Sequence, residues 1–240
     1  MNDYSLMTAS GRVVDLRMPE ACSIDAIDIA YALARIPRFG GWLRKRYSVA
    51  RHSVLVATLA KSLLGDHYFD LVDGLVSAEY QSADCPRKDV FLAHCLLHDA
   101  HEAFIGDLSR PLQKAMAFLH GDRAFTTLRN RWDEQIHAAA RIPLLGEVGV
   151  QMLAILDDWA LALEANALMP HGCLAMSEKF QRLAELSPWE ATAILEGASS
   201  DQDDEELFLT SLNKLRVDSI KSWVRQCQQR FAMMVLKPEV

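Results

Sequence analysis

No run of apolar residues in this chain approaches the roughly 20 needed to cross a bilayer. Its first residues, Met1-Asn-Asp-Tyr-Ser5, lack the basic and apolar regions of a secretory leader. A soluble, cytoplasmic protein with no membrane partner is therefore expected. Cysteine is sparse: Cys22, Cys85, Cys95, Cys173 and Cys227 are odd in number, scattered, and form no C-x-x-C pair. That excludes a disulfide framework and fits reduced thiols, with Cys95 as a small core residue. Basic residues are the minority charge, 25 against 32 acidic, for a net −7. A duplex binder needs a cationic face to displace counterions, so no nucleic-acid partner is expected. One short basic cluster, Arg38, Arg44, Lys45 and Arg46, suits a small polyanion instead. Glycine (11) and proline (8) are few among 240 residues that are half apolar. This excludes a disordered chain and allows one sizeable core.

Long period-two alternation is also missing, as are repeats and a domain linker. The reading is an all-α fold in a single domain over 1–240: a turn-rich or short-strand arm at 1–24, a core at 25–170, and C-terminal helices at 171–240. Asp25 to Arg35 reads as a short helix stopped by Pro37, followed by a loop at Arg38 to Trp42. From His52, the residues Leu55, Val56, Leu59, Ala60 and Leu63 recur at helical spacing, so His52 opens the apolar face of its own helix. A mixed, acidic stretch at 65–88 ends in a loop at 82–87. Asp89 then caps a helix over 90–104 that Gly106 ends, and Pro111 starts another. Further helices are read at 122–139, 147–169, 188–196 and 205–234, with Asp201 to Glu206 as a loop and helix N-terminus.

What the chain does have is a concentration of histidine and carboxylate in Ala93-His-Cys-Leu-Leu-His-Asp-Ala-His-Glu-Ala-Phe-Ile-Gly-Asp107. His98 and Asp99 offer a nitrogen and an oxygen to one cation, and His52 upstream adds a second nitrogen. Downstream, Asp157 and Asp158 each offer an oxygen, and helical periodicity does not choose between them. Two nitrogens and two oxygens suit Co²⁺, Mn²⁺, Ni²⁺, Fe²⁺ or Zn²⁺ better than Ca²⁺ or Mg²⁺. Any one of these histidines alone is more commonly a hydrogen-bonded core residue. Four donors in order, on separate helices, are what point to a metal. On the 90–104 helix His98 and Glu102 are four apart and face the same way, which places Glu102 to take a proton from water polarised by the ion. His94 and His101 flank His98 and are read as supporting or surface residues rather than ligands.

The set resembles the metal-binding signature of the HD-domain phosphohydrolases, and within them the bacterial 5′-deoxynucleotidases and related phage-encoded hydrolases. Arg38 stands 14 residues before His52-Ser53. His98-Asp99-Ala-His-Glu102-Ala-Phe-Ile-Gly106-Asp107-Leu-Ser-Arg-Pro111 matches that branch's His-Asp motif. Thr8-Ala-Ser-Gly-Arg12 and Tyr47-Ser-Val-Ala50 are similar to the phage-type members. The resemblance covers residues 8 to about 170. It implies Asp157, seven residues before Glu164, as the fourth ligand, Glu102 as the catalytic carboxylate, and Asp107 as a second acidic group positioning water or substrate. It implies Arg38 as the phosphate-binding cation and Phe39 beside the sugar, where a 2′-hydroxyl would meet apolar surface. Arg51 stands where a glutamate commonly precedes the first histidine, a departure that touches local electrostatics but not the ligand set.

The activity this implies is metal-dependent hydrolysis of a deoxynucleoside monophosphate to the deoxynucleoside and phosphate. A deoxynucleoside triphosphohydrolase that releases tripolyphosphate, with Mg²⁺ accompanying the nucleotide, is the alternative. An alarmone hydrolase or a non-catalytic nucleotide-binding protein ranks lower, and no Gly-Tyr-Pro segment supports a cyclic-dinucleotide phosphodiesterase. The partner is a small nucleotide; the sequence leaves open whether the chain self-associates.

Overall fold

A computed structural model describes residues 3–68, 87–121, 123–171, 178–185, 188–197 and 200–235. The fold is all-α, as the missing strand pattern implied, with one small hairpin at the N-terminus. In that hairpin β1 (Ser5–Met7) pairs antiparallel with β2 (Val13–Asp15) in the register Leu6 opposite Val14. Val14 reaches the core, and buried Asp28 accepts bonds from the Ser10 amide and hydroxyl (2.7 and 2.6 Å), which ties the turn to the first helix.

That helix, α1 (Ala26–Arg35), begins where Asp25 accepts from the Ile27 amide and stops before Pro37, which disfavours helical backbone in the residue preceding it. A 3-10 turn at Arg38–Gly41 follows, and Phe39 and Gly40 both adopt left-handed backbone there (φ 54° and 60°). The loop's neck is closed by an isolated bridge between Pro37 and Ser48 and by the Arg38 amide donating to the Tyr47 carbonyl. Arg38 is thereby fixed beside the start of α2 (Val49–Tyr68).

The pattern of α2 predicts one apolar face, but Val49 to Val56 are buried without interruption. A helix buried all round lies at the centre, and α2 is packed by α1, α3 (Arg87–Leu97), α7 (Glu147–Leu168), α9 (Trp189–Glu196) and α10 (Asp201–Lys214). The single helix expected over 90–104 is two pieces: α3 starts at Arg87 and ends at Leu97, and α4 covers only Glu102–Ile105. Asp89 therefore lies within the first turn of α3 rather than capping it. Between the pieces, amides of Ala100, Glu102, Ala103 and Phe104 reach the third preceding carbonyl instead of the fourth, a tightened 3-10 course with no glycine or proline to announce it. The loop expected at 82–87 lies outside the described residues, apart from Arg87.

α5 (Arg110–His120) has Pro111 in its first turn, as read, and α6 (Arg123–Ala140) follows. Two expectations near the C-terminus need correction. α8 (Glu178–Glu185) went unread, and the helix expected over 205–234 is α10 and α11 (Asp218–Val235), broken at Leu215–Val217. Leu215 and Val217 are both buried, so the chain turns there to place both in the core. Asp201 to Glu206 is helical throughout, started by Ser200, which accepts from the Asp203 amide. Phe208, Leu212, Ile220, Trp223 and Val224 join the same apolar cluster as Val14, Leu33 and Leu55. Among the described residues no helix is long and apolar enough to cross a membrane. Cys95 and Cys227 are buried free thiols, both pushed up by burial, Cys227 to about 12.

Candidate metal centre

The site forms where the first turn of α2, the turn after α3 and the middle of α7 meet. His52 is fully buried, and its Nδ1 donates to Glu164 Oε1 on α7 at 2.6 Å. His98 follows the last residue of α3, where the ended helix leaves the Cys95 carbonyl to accept from His98 Nδ1 at 2.9 Å. A carboxylate and a carbonyl can only accept, so both Nδ1 atoms carry a proton, and each Nε2 is free to donate its lone pair to an ion whenever its ring is neutral. These two Nε2 atoms lie 3.2 Å apart. Two lone pairs at that distance repel, so either a proton or a metal ion must lie between these groups.

Carboxylate oxygens complete the arrangement. Asp157 Oδ1 is 3.2 Å from His52 Nε2 and 3.9 Å from His98 Nε2. Asp99 Oδ2 is 3.5 Å from His52 Nε2 and 3.2 Å from His98 Nε2. Donors sharing one ion at about 2.0–2.2 Å sit roughly 3–3.5 Å from one another, so the spacing fits a transition-metal site. His52, His98 and Asp157 form one group whose donor atoms all lie within 4.8 Å of each other, and these residues could hold a metal ion. Asp99 approaches both imidazoles but also forms a second such group with His101 and Glu102. The choice that periodicity left open is made by geometry: Asp157 faces the imidazoles, whereas Asp158 faces outward and pairs with Arg110 (2.7 Å) and Lys179 (2.8 Å).

Electrostatics reinforce the case for a cation. Asp99, Glu102, Asp107 and Glu164 crowd around Arg38, which sits 3.6 Å from Glu164 Oε2, 3.7 Å from Asp99 Oδ2 and 4.0 Å from Asp107 Oδ2. Burial opposes the charge on Arg38, but Glu164, Asp99, Glu102 and Asp107 together hold it firmly protonated. None of those contacts is within hydrogen-bonding reach, and Arg38 Nε is buried without a partner, so the guanidinium keeps unused donors. Burial and Arg38 push His52 down, yet Glu164 and Asp157 outweigh them and raise it to about 9. Burial works to raise Asp157 and Asp99, but the adjacent imidazoles hold both below the ordinary carboxylate range. Glu102 behaves oppositely. Burial first, then the charges of Asp99 and Asp107, push its carboxyl well up, and its Oε2 is buried without a partner. Asp107 is raised too, by burial first and with Arg38 opposing.

The remaining sequence candidates fall into different places. Phe39 packs with Met169 and Leu183 against Ala162 and Ala165 of α7, its ring centre 5.9 Å from the Arg38 guanidinium carbon. The helical alignment proposed for His98 and Glu102 fails because the helix breaks between them; the tight turn places Glu102 by Asp99 instead. His94 bonds the Pro143 carbonyl, and His101 bonds Asp133 at 2.9 Å. The basic cluster at 38–46 does not act as one patch: Arg44 bonds the Pro170 carbonyl and Arg46 pairs with Asp201 and Asp204. Arg51 turns away from the site to Asp204 and to the carbonyls of Ile194 and Gly197, so the departure at that position leaves the candidate ligands untouched.

Sequence reasoning missed Glu164 as the His52 partner and missed Arg110, which donates to Asp157 Oδ2 at 2.6 Å. The first left a signal, two turns after Asp157 on the same face of α7; the second left none, since it joins different helices. No protein-family model matches the chain. Over 136 residues it is 29% identical to a protein of Rhodobacter capsulatus described only as "Uncharacterized protein RCAP_rcc00048", a match spanning 56% of this chain and 57% of that one.

Proposed function

We propose that this chain is a metal-dependent phosphohydrolase of the HD-domain kind, acting on deoxynucleotides as a 5′-deoxynucleotidase. The observation that carries the reading is the 3.2 Å approach of the His52 and His98 Nε2 atoms, with Asp157 and Asp99 beside them. His52, His98, Asp99 and Asp157 would hold one divalent ion, which supplies Lewis acidity toward water and the phosphoryl group. Arg38 binds phosphate through the donors its carboxylate neighbours leave unused, and a guanidinium matches phosphate with paired bonds. Glu102, whose Oε2 is buried without a partner and whose proton affinity is raised, takes the proton of the attacking water. Asp107, also facing Arg38, orients water or substrate. Phe39 lies next to Arg38 and presents an apolar edge to the sugar.

The test is turnover of nucleoside mono- and triphosphates by the purified protein with Mn²⁺ or Co²⁺. dAMP should give deoxyadenosine and orthophosphate faster than AMP gives its products, and Arg38→Ala should weaken both binding and turnover, with Arg38→Lys only a partial rescue. Release of tripolyphosphate from dATP would redirect the reading to a triphosphohydrolase. Equal kcat/KM for dAMP and AMP would remove deoxy selectivity, and no turnover of any nucleotide would remove the enzymatic reading.

A further inference from the structure

We propose that Arg110 is a positioning residue for Asp157, restricting that carboxylate to a single oxygen for the metal; the inference rests on the metal reading above. Arg110 is the first residue of α5, and its guanidinium spans two successive carboxylates of α7. Nη2 donates to Asp157 Oδ2 at 2.6 Å and Nη1 to Asp158 Oδ1 at 2.7 Å. The other Asp158 oxygen is taken by Lys179 Nζ at 2.8 Å. Asp157 is thus divided between two tasks: Oδ1 faces His52 Nε2 at 3.2 Å, and Oδ2 is committed to arginine.

That division has a chemical consequence. A carboxylate beside a cation can offer one oxygen or both. A short, charge-assisted bond to Oδ2 withholds the second oxygen, and an oxygen withheld leaves room at the ion for water, which a hydrolytic site needs. Lysine could not do the same, because a single ammonium does not hold two carboxylates in a planar fork. Nor is the pair a device for stability. The Arg110 side chain is 49% exposed, and ion pairs of that exposure add little to folding. Arg110 can therefore be replaced in a folded protein.

Cobalt titration of the substrate-free protein reads the claim without nucleotides, because the visible spectrum of Co²⁺ weakens as its donor count rises. Arg110→Ala should still bind one Co²⁺ per chain, with weaker visible bands than the wild type. Its kcat should fall about 10–100-fold, the usual cost of losing a ligand's supporting partner, while KM stays unchanged. Arg110→Lys should fall between the two, and Asp158→Asn, which removes one of the two anchors of Arg110, should show a smaller change of the same kind. An unchanged spectrum overturns the proposal. So does an unchanged spectrum with raised KM, which would make Arg110 a substrate contact, and so does loss of cobalt binding, which would make it structural. If the wild type shows no cobalt spectrum that His98→Ala abolishes, the metal reading fails and takes the proposal with it. A normal wild-type spectrum without nucleotide turnover would instead remove only the nucleotide reading and leave the spectral comparison decisive.

Discussion

At His52 one ring nitrogen is committed to Glu164 and the other is aimed at three further groups, although the residue has no solvent exposure. Burying a polar ring in this way is favourable only if each nitrogen has a partner, and Nε2 faces Asp157 Oδ1 at 3.2 Å in a group that could hold a metal ion. The same reasoning separates neighbouring aspartates. Asp157→Asn should strip the site of an anionic donor and abolish both metal binding and turnover, whereas Asp158→Asn should retain the metal; equal damage from the two would contradict the assignment. Glu102 is expected to matter for chemistry and not for metal retention. Glu102→Ala should keep the ion and lose about 10²–10⁴-fold in turnover, the range for a general acid–base group. A fall in metal content would make it a ligand, together with Asp99 and His101. At this scale the sequence was legible in residue type and order. The pairing was not, because Glu164 lies 112 residues from His52 and Arg110 lies 47 from Asp157, separations that no local spacing encodes.

Among elements, α3 shows both what helical periodicity reveals and what it hides. Its buried run from Val90 to Leu97 was readable, but its end was not, because the break at the His-Asp turn is made by shortened amide bonds and by the His98 ring taking a backbone carbonyl. Pro37 and Gly106, by contrast, marked boundaries that the structure keeps. α3 also carries His94, packed 4.6 Å from His137 of α6 and donating to Pro143. Burial first, then the neighbouring imidazole, lower His94 to about 3. The unfolded chain takes up that proton near pH 6.5 and the folded chain does not. Stability from the neutral ring is therefore complete above about pH 6.5 and is lost as pH falls toward 3, by about 1.4 kcal/mol per pH unit. His94→Gln keeps a donor for the carbonyl and should flatten the pH dependence of denaturant unfolding between pH 6.5 and 4. An unchanged slope would place the acid sensitivity elsewhere.

Across the whole molecule, the all-α class was legible from composition and periodicity, and among the described residues one apolar cluster runs from the N-terminal hairpin to α11. The way the C-terminal helices attach was not, since besides apolar packing it uses a buried acid whose partners lie far away in the chain. Asp204 of α10 has no exposure and accepts from Ser48 Oγ at 2.6 Å, Arg51 Nε at 2.8 Å and Arg46 Nη1 at 2.9 Å. Asp204→Ala would leave Arg51 buried without its counter-charge, and unfolding should become easier by about 3–5 kcal/mol; a loss below 1 kcal/mol by denaturant titration would show that the apolar contacts of α10 suffice. The central claim is that this fold exists to hold one cation between α2, α3 and α7. Metal analysis of the purified protein, after loading with Mn²⁺ or Co²⁺ and removal of excess ion, tests it most directly. The wild type should retain one ion per chain, and Asp99→Ala and His98→Ala should retain none while keeping the wild-type helical circular dichroism. Full occupancy in both variants, or an empty wild type under saturating metal, would contradict it.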